Sequence, residues 1–379
     1  MRLRCFAVHK LKRHTMTSSI LAYCRPGYEN DTANELTTRY GEAGYFGYPV
    51  STKNSGFVHY HLYDASQLDS TLTQFAVHES IFPRQLVAVF TSMSDIEKED
   101  RVGQVLDALK EVEKPHSIFG AIDVEYPDTE DGKTLAKFCR KFTVPLRQAL
   151  RKANWLTAKE NTGKPKLHIF FESFEVCHIG YTLPNYASND HLGICRLKFP
   201  SDAPSRSTLK LEDALVNMLS AQQQEKVLRT GGRAVDLGAC PGGWTYQLVK
   251  RGMYVEAIDN GLVADSLMST GLVEHHAADG FTYRPQFGRV DLLVCDMIEQ
   301  PDRVAKLMGD WLVKHWATHA IFNLKLPMKQ RYEAVVEAMT LLKSRLNALE
   351  DVFAVKVRHL YHDRDEVTVT IVRTSKDEV

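Results

Sequence analysis

A glycine-rich segment, Asp-Leu-Gly-Ala-Cys-Pro-Gly-Gly at residues 236–243, has the composition of a ligand-binding turn. It follows an apolar stretch that predicts a strand and precedes residues 244–250, which predict a helix. Glycine lets the backbone approach a ligand closely, and the unpaired N–H groups at the start of a helix then face that ligand. The spacing differs from the Gly-x-Gly-x-x-Gly fingerprint of dinucleotide sites. The alternative is a buried turn that binds nothing.

Three further aspartates occupy positions suited to the same ligand. Asp259 follows a strand predicted for residues 254–258, Asp296 follows one predicted for residues 290–295, and Asp279 lies between them. Ligands of doubly wound sheets bind outside the carboxyl ends of the strands, where an acid can accept both ribose hydroxyls of an adenosine. Each aspartate alone is more often a cap or turn residue. Their order behind the glycine turn favours an adenosine pocket.

The C-terminal half alternates predicted strands and helices, a pattern typical of a parallel, doubly wound sheet with buried apolar strands. A hairpin predicted at the end of the chain adds an antiparallel strand. The strands are predicted at residues 234–237, 254–258, 290–295, 320–324, 353–360 and 367–373, and the helices at residues 244–251, 262–270, 301–315 and 329–348.

The glycine segment resembles motif I of the S-adenosylmethionine-dependent methyltransferases, in the Cys-Pro-Gly-Gly form of the FtsJ-like RNA ribose methyltransferases. The resemblance implies S-adenosylmethionine as the cofactor and places Asp279 against its adenine. A nicotinamide enzyme, a different class, is disfavoured because the dinucleotide fingerprint is missing.

Methyl transfer to a ribose hydroxyl needs in-line geometry and a group that takes or shares the hydroxyl proton. Lys325 follows a predicted strand and lies in the same cleft as Asp296. Lysine is a poor base at its reference pKa of about 10.4. A second cation, for which Lys210 is the candidate, partial burial and the sulfonium charge all disfavour protonated Lys325. Glu366 can orient Lys210 or bind the ribose, and Asp296 can hold Lys325. The alternative is a set of ordinary surface ion pairs.

The N-terminal half alternates short strands and helices, which is typical of an α+β fold. Residues 133–166 contain ten Lys or Arg and one acid, Glu160, mostly on a helix predicted for residues 134–153. This basic segment predicts contacts with phosphates, and the alternative is a solvated helix face. Phe138 and Phe142 can stack on bases, although their four-residue spacing is more typical of a core.

Composition limits the class of protein without identifying a partner. Basic and acidic residues balance at 47 each, and 44% hydrophobic with 25% charged residues is ordinary for a globular protein. No apolar run reaches the roughly 20 residues that span a bilayer, so we expect no membrane segment. Seven scattered cysteines without a C-x-x-C pair predict neither a zinc site nor a disulfide framework and fit a reducing cytoplasm. We expect no metal; a monomer is favoured, although the sequence does not determine the oligomeric state.

Longer strings extend the resemblance over residues 18–373, to the RlmM family of bacterial enzymes that methylate a cytidine 2′-hydroxyl in 23S ribosomal RNA. The strings are residues 24–28, 137–147, 196–212, 235–250, 321–329 and 360–369. The resemblance implies a Lys-Asp-Lys-Glu tetrad of Lys210, Asp296, Lys325 and Glu366, with Lys325 as the proton acceptor. It also implies cofactor contacts from Ser207, Cys240, Pro241, Gly242, Gly243, Asp259, Asp279 and Asp296. Unaided, Ser207 before a helix predicts an N-cap.

These features predict an S-adenosylmethionine-dependent methyltransferase domain behind an α+β, ferredoxin-like and THUMP-type RNA-binding region, with 23S RNA bound through residues 133–166. The expected parts are an extension without order (1–15), a ferredoxin-like subdomain (16–90), a THUMP-type region (91–187), a linker (188–203) and the methyltransferase domain (204–379). The alternative function is an RNA-binding ribosome-assembly factor with a vestigial methyltransferase fold. The intact glycine turn and the complete tetrad argue against it.

Overall fold

The computed structural model describes residues 14–374, with the backbone alone for residues 14–17. These residues divide into two compact units, one formed by the chain up to Val77 and by Phe82–Ile194, the other by His78–Ile81 and the chain from Cys195 onward. The predicted extension lies outside the described residues except for His14 and Thr15, which begin the first strand. No helix within residues 14–374 combines the length and the apolar character needed to cross a membrane.

The first unit is built on one mixed, seven-stranded sheet. Its elements are β1 (His14–Tyr23), α1 (Glu29–Glu42), β2 (Gly47–Val50), β3 (Phe57–Leu62), α2 (Leu68–Leu72), β4 (Gln85–Met93), α3 (Arg101–Lys110), β5 (Ala121–Glu125), α4 (Lys133–Lys152), β6 (Lys166–Phe171) and β7 (Cys177–Thr182). The strand order is β2-β3-β1-β4-β7-β6-β5. Because β4 pairs with both β1 and β7, the ferredoxin-like and RNA-binding regions expected on either side of residue 90 share this sheet.

Helix α4 is amphipathic, and its apolar stripe packs into the core of the first unit. The stripe recurs every three or four residues and consists of Leu135, Cys139, Phe142, Leu146 and Leu150, all buried. The ring of Phe138 stacks on that of Phe142 and lies edge-on to Phe171, with 4.9 Å between the centroids of Phe138 and Phe171. Phe142 is therefore a core residue and the partly buried Phe138 packs against the core, so the structure favours packing over base stacking for both rings.

The second unit is a doubly wound sheet, which confirms the predicted α/β fold. Its elements are α5 (Thr208–Met218), α6 (Ala221–Val227), β8 (Arg233–Leu237), α7 (Gly243–Val249), β9 (Tyr254–Ile258), α8 (Asp265–Met268), β10 (Val273–His276), β11 (Val290–Cys295), α9 (Pro301–Val313), β12 (Ala317–Lys325), α10 (Arg331–Leu346), β13 (Val352–Arg358) and β14 (Glu366–Thr374). The strand order is β10-β9-β8-β11-β12-β14-β13. The first five neighbours in this order are parallel, and β14 enters antiparallel between β12 and β13.

The carboxyl ends of four parallel strands meet at one edge of this second sheet. Strands β8, β9, β11 and β12 end at Leu237, Ile258, Cys295 and Lys325. The glycine turn, Asp259 and Asp296 follow three of these ends directly, so the fold collects the predicted site residues along one edge.

Candidate active site

The glycines of the turn lie at positions where a side chain would collide with neighbouring atoms. Gly238 and Gly242 have φ of +81° and +113°, which L side chains rarely adopt. A Cβ at Gly242 would lie 2.4 Å from Cδ1 of Leu267, and one at Gly243 would lie 2.0 Å from Oγ of Ser207. The turn therefore presents bare backbone, as a site that receives a ligand closely requires.

Asp259 ties the glycine turn to the loop after β9. Its Oδ2 accepts a hydrogen bond from the N–H of Cys240 at 3.0 Å, and its Oδ1 accepts one from the N–H of Gly261 at 2.8 Å. Each carboxylate oxygen has a second lone pair, so Asp259 can still accept a ribose hydroxyl. The side chain of Cys240 is exposed, and a Cβ at Gly261 would lie 2.6 Å from its Sγ. The loop after β9 thus packs against the turn where the cofactor contacts are predicted.

Asp279 and Ser207, two of the predicted cofactor residues, form hydrogen bonds with residues close to them in the sequence. Oδ1 of Asp279 accepts a hydrogen bond from the N–H of Phe281 at 2.9 Å, as an exposed turn aspartate does. No hydrogen bond among residues 14–374 joins Asp279 to the other predicted site residues. Ser207 occupies the predicted N-cap position of α5, but its backbone is helical, and its Oγ makes no capping hydrogen bond and donates to Oγ of Ser205 at 3.1 Å. Its Oγ faces Gly243 instead.

The four predicted catalytic residues form a ring of alternating charge. Nζ of Lys325 lies 2.8 Å from Oδ1 of Asp296 and 3.4 Å from Oε2 of Glu366. Nζ of Lys210 lies 3.1 Å from Oδ2 of Asp296 and 2.7 Å from Oε1 of Glu366. Each ammonium group therefore bridges both carboxylates, and each carboxylate bridges both ammonium groups. The side chains are 7–19% exposed, so solvent screens the ring only partly.

Strand register explains how four distant residues meet. Lys325 and Glu366 are direct cross-strand partners of β12 and β14. Strand β11 runs parallel to β12, and Asp296 follows its last residue, so its carboxylate reaches the same edge. Lys210 comes from α5, which packs against α7 and β14. The surface ion-pair alternative for these residues does not describe such a half-buried, closed ring.

The charges of the ring keep the carboxyl group of Asp296 ionised. Burial opposes ionisation of Asp296, but the ammonium groups of Lys325 and then Lys210 outweigh burial and lower its pKa below the usual range. Burial also disfavours the charged form of Lys210, yet Asp296 and Glu366 overcome this and raise the pKa of Lys210. Lys210 is therefore a permanent cation beside Lys325.

Three residues that the sequence analysis did not identify are linked to Asp296 through hydrogen bonds. Nδ2 of Asn323 donates to Oδ1 of Asp296 at 2.9 Å, and Oγ1 of Thr368 lies 2.8 Å from Oδ1 of Asn323. Thr368 also contacts the buried carboxyl group of Asp363. Asn323 precedes Lys325 by two residues on β12, and Thr368 follows Glu366 by two on β14. This period of two places each pair on one face of the sheet, a signal that could have revealed Asn323 and Thr368.

Asp236, at the end of β8, supports a ligand in the glycine turn. Its Oδ2 accepts a 2.6 Å hydrogen bond from Thr245, while its buried Oδ1 has no partner among residues 14–374. Burial, with smaller contributions from the charges of Asp296 and Asp259, raises the pKa of Asp236 to about 7. This unpaired oxygen, the bare glycine cradle and the remaining lone pairs of Asp259 fit a polar, cationic methyl donor.

One group of side chains in the first unit has the proximity of metal ligands: Asp123, Glu125 and His168. Their atoms already have protein partners. Buried Glu125 accepts from Tyr23 and from Nδ1 of His168, both at 2.8 Å, and Asp123 pairs with Lys166 at 3.0 Å. Burial alone would raise the pKa of Glu125, but the charge and hydrogen bond of His168 lower it to about 2. A metal ion here would have to displace these partners.

The exposed face of α4 carries most of the predicted basic segment. Lys137, Arg140, Lys141, Arg151 and Lys152 are exposed, and Arg147 is half-buried. Among the described residues, Lys137, Arg140 and Lys141 form no ion pair. Their charge is therefore not neutralised locally, as a phosphate-binding surface requires.

Models of known families match the chain in three consecutive parts. The RlmM ferredoxin-like domain matches residues 16–87. The N-terminal domain of ribosomal RNA large subunit methyltransferase M matches residues 100–183, and an FtsJ-like methyltransferase matches residues 203–368.

Curated relatives match over nearly their whole length. Ribosomal RNA large subunit methyltransferase M of Alteromonas mediterranea is 88% identical over 362 residues, covering 96% of this chain and 99% of that protein. Its counterpart in Aliivibrio salmonicida is 50% identical, covering 93% of this chain and 97% of that protein. S-adenosylmethionine is accordingly the cofactor, and the chain belongs to the family of ribosomal RNA large subunit methyltransferase M, with an FtsJ-like catalytic domain.

Proposed function

We propose that this ribosomal RNA methyltransferase transfers the methyl group of S-adenosylmethionine to the 2′-hydroxyl of a cytidine in 23S RNA, with Lys325 as the proton acceptor. The observation that carries the proposal is the closed ring of Lys210, Asp296, Lys325 and Glu366 at the sheet edge that also holds the glycine turn. The choice of cytidine and of 23S RNA is supported by the resemblance to the RlmM family.

The geometry of Lys325 suits proton acceptance from a hydroxyl group. An ammonium group has three N–H bonds, and in Lys325 two of them face Asp296 and Glu366. The third position on Nζ is left for the substrate. When bound, S-adenosylmethionine supplies an electrophilic methyl group and a positive charge. In the reacting form, Nζ of Lys325 would be neutral and would take the proton of the ribose hydroxyl, whose oxygen replaces the sulfur atom on the transferred methyl carbon as the C–S bond breaks.

Asp296 and Glu366 act as positioning groups in this proposal. Both carboxylates hold the two lysines at fixed places, so Nζ of Lys325 does not have to be immobilised when the substrate arrives. The exposed cations of α4 contribute contacts to RNA phosphates, which position the substrate without reading its sequence.

Replacement of Lys325 tests the proposal. We expect Lys325→Ala to lower kcat at least about a hundredfold, as loss of a general base does, while the Kd for S-adenosylmethionine changes little. Lys325→Arg keeps the charge but stays protonated, so it should be as inactive as Lys325→Ala. Lys343→Ala, at an exposed position of α10, is the control.

The measurement is methyl transfer to ribosomal RNA from cells that lack the protein, followed by mass spectrometry of the nucleosides. A 2′-O-methylcytidine that is made by the parent and lost in both Lys325 variants supports the proposal. A product methylated on the base, or parental activity in Lys325→Ala, would contradict it. Absence of any transfer by the parent would favour an assembly factor.

A further inference from the structure

Three apolar side chains at the carboxyl-terminal edge of the second sheet are almost fully exposed to solvent. Leu262, Ile298 and Met328 are 80%, 90% and 92% exposed, more than any other large apolar side chain within residues 18–374. They lie in the loops that follow β9, β11 and β12. Strands β11 and β12 are neighbours and lead into Asp296 and Lys325 of the ring, whereas β9 lies two strands away from β11. Ile298 and Met328 are therefore the pair that borders the ring.

The chain keeps both side chains close to the ring. Ile298 is two residues after Asp296, and Met328 is three residues after Lys325. An extended chain spans at most about 3.6 Å per residue, so the two Cα atoms of the first pair lie within about 7 Å of each other and those of the second within about 11 Å. Asp296 and Lys325 are themselves joined by an ion pair of 2.8 Å. A nucleoside with its 2′-hydroxyl at Nζ of Lys325 is therefore within reach of both apolar side chains.

The two loops are anchored immediately before these exposed side chains. In the loop after β11, Met297 packs against the glycine turn: a Cβ at Gly238 would lie 2.8 Å from its Cγ, and one at Gly280 would lie 2.9 Å from its Sδ. In the loop after β12, the N–H of Leu326 donates to the carbonyl oxygen of Asp365 at 2.7 Å. Each loop is thus held in place one or two residues before the apolar side chain that it exposes.

The chemistry of a nucleoside matches this pair of side chains. Single exposed apolar side chains are common on protein surfaces, but Ile298 and Met328 border the candidate active site of a ribosomal RNA methyltransferase. The face of a base is apolar and packs on such side chains, and the sulfur atom of a methionine makes favourable contacts with aromatic rings. Lys329, which follows Met328, is exposed and forms no ion pair in the part of the chain that the structure describes. It is therefore available to a phosphate of the same nucleotide.

We propose that Ile298 and Met328 form an apolar clamp that packs on the sugar and base of the target nucleotide and holds it at Lys325. The clamp orients the ribose hydroxyl and excludes water from the site of methyl transfer. The position of the hydroxyl at Lys325 rests on the proposed function, whereas contact of the two side chains with the methylated nucleotide does not. An apolar contact releases no counterions, so the clamp differs from the cations of α4 in its response to salt.

Replacement of each side chain by serine tests the clamp. We expect Ile298→Ser and Met328→Ser each to lower kcat/KM for ribosomal RNA from cells that lack the protein about tenfold. The Kd for S-adenosylmethionine and the slope of log K for RNA against log salt concentration should not change. Met328→Leu keeps the apolar bulk and should recover most of the loss seen in Met328→Ser. The control is Val336→Ser, which removes an exposed apolar side chain from α10 and should match the parent.

Photo-cross-linking locates the contact without turnover. The photoreactive residue p-benzoylphenylalanine is introduced in place of Ile298, of Met328 or, as the control, of Val336, and the protein is irradiated with the same RNA. Cross-links from the first two positions should map to the methylated nucleotide or its immediate neighbours, and the control should give none there.

Cross-links elsewhere in the RNA, or none, would overturn the proposal and would indicate a partner such as a protein for these side chains. Parental kcat/KM in both serine variants, or a loss accompanied by a smaller salt slope, would overturn it as well. The cross-links report contact with the nucleotide whichever of its atoms is methylated. A product methylated on the base would therefore contradict the proposed function and leave the clamp standing.

Discussion

Two lysines and two carboxylates in one half-buried ring neutralise one another, and this constrains what a single substitution does. Removing one member of a buried ion pair leaves the other charge uncompensated, which costs more than the pair contributes. Loss of Asp296 would leave Lys210 and Lys325 facing each other across a partly desolvated site. Such a variant would be both inactive and less stable. Lys325, which is 19% exposed, is therefore the more informative position for testing the chemistry.

Asp236 gives a prediction for the pH dependence of stability. Its pKa is raised to about 7 in the folded chain, mainly by burial, against about 3.9 in an unfolded chain. The folded state thus binds this proton more tightly. The stabilising contribution is complete below pH 4, falls as the pH rises from 4 to 7, and is lost above pH 7. Between pH 4 and pH 7, the free energy of unfolding of the parent should therefore fall by up to about 4 kcal/mol more than that of Asp236→Asn.

Urea unfolding of parent and variant at several pH values between 4 and 8 measures this difference. The side-chain amide introduced by Asp236→Asn would keep an acceptor for Thr245 and place an NH₂ group at the position of the unpaired Oδ1. Titrating groups that do not interact with Asp236 act equally in both proteins, so the difference between the curves isolates Asp236 and its coupling to Asp296 and Asp259. Parallel stability–pH curves would show that its pKa is not raised.

At the scale of elements, the sequence predicted those whose pattern is long and periodic. Strands β8, β9, β11, β12 and β14 and helices α7, α9 and α10 all lie where the sequence placed them, within a few residues. Strands β2 and β10 were missed because each has four residues, too few to show a period. A helix after Ser207, which is α5, was predicted without bounds, and α6 was not predicted; Gln223, three residues after Ser220, completes a capping box at the start of α6 that could have indicated it.

Some residues of the candidate site could be predicted from the sequence, and others could not. Residues at strand ends could be predicted, since parallel strands of a doubly wound sheet deliver them to one edge. The period of two could have placed Asn323 and Thr368 on the faces of Lys325 and Glu366, but the hydrogen bonds that join Asp363, Thr368 and Asn323 could not be predicted, because they depend on the register of β12 against β14. A shift by one residue would turn Thr368 to the other face. Register is a property of the folded sheet that spacing along the sequence does not contain.

The glycine turn supplies a prediction for an element with a matched control. Gly242→Ala would place a Cβ 2.4 Å from Leu267 at a φ of +113°, so Leu267 or the turn itself must move. We expect the Kd for S-adenosylmethionine to rise at least about tenfold, equivalent to about 1.4 kcal/mol. Gly231 also has a positive φ, +75°, but nothing lies within 4 Å of a Cβ there, and it precedes β8 at the opposite end.

Gly231→Ala should therefore cost only the backbone strain of about 1–2 kcal/mol in stability and leave cofactor affinity unchanged. Calorimetric titration with S-adenosylmethionine and thermal unfolding measure the two effects separately. If Gly242→Ala binds the cofactor as the parent does, the turn does not need bare backbone at that position. Equal losses of affinity in both variants would point to a general effect of positive φ.

At the scale of the whole chain, zero net charge conceals an uneven distribution. Cations and anions balance at 47 each, yet α4 contains no acidic residue among its 20 positions. The apolar stripe of α4 packs into the core, so the cationic side chains of this helix lie on its exposed face. Helix α3 of the same unit differs, because exposed Lys110 pairs with Asp107 at 2.8 Å. Local surroundings, rather than net charge, decide which lysines are available to a polyanion.

This difference predicts how two double variants of equal net charge respond to salt. Each phosphate contact releases counterions, and its loss lowers the slope of log K against log salt concentration by about 0.7–0.9. The double variant Lys137→Ala, Lys141→Ala on α4 should bind ribosomal RNA more weakly and with a slope smaller by about 1.5. The control, Lys98→Ala with Lys110→Ala, removes exposed lysines that have acidic neighbours at Glu97, Glu99 and Asp107, and should keep the parental slope. Equal slopes for all three proteins, measured by filter binding across a salt series, would assign RNA contact to a surface other than α4.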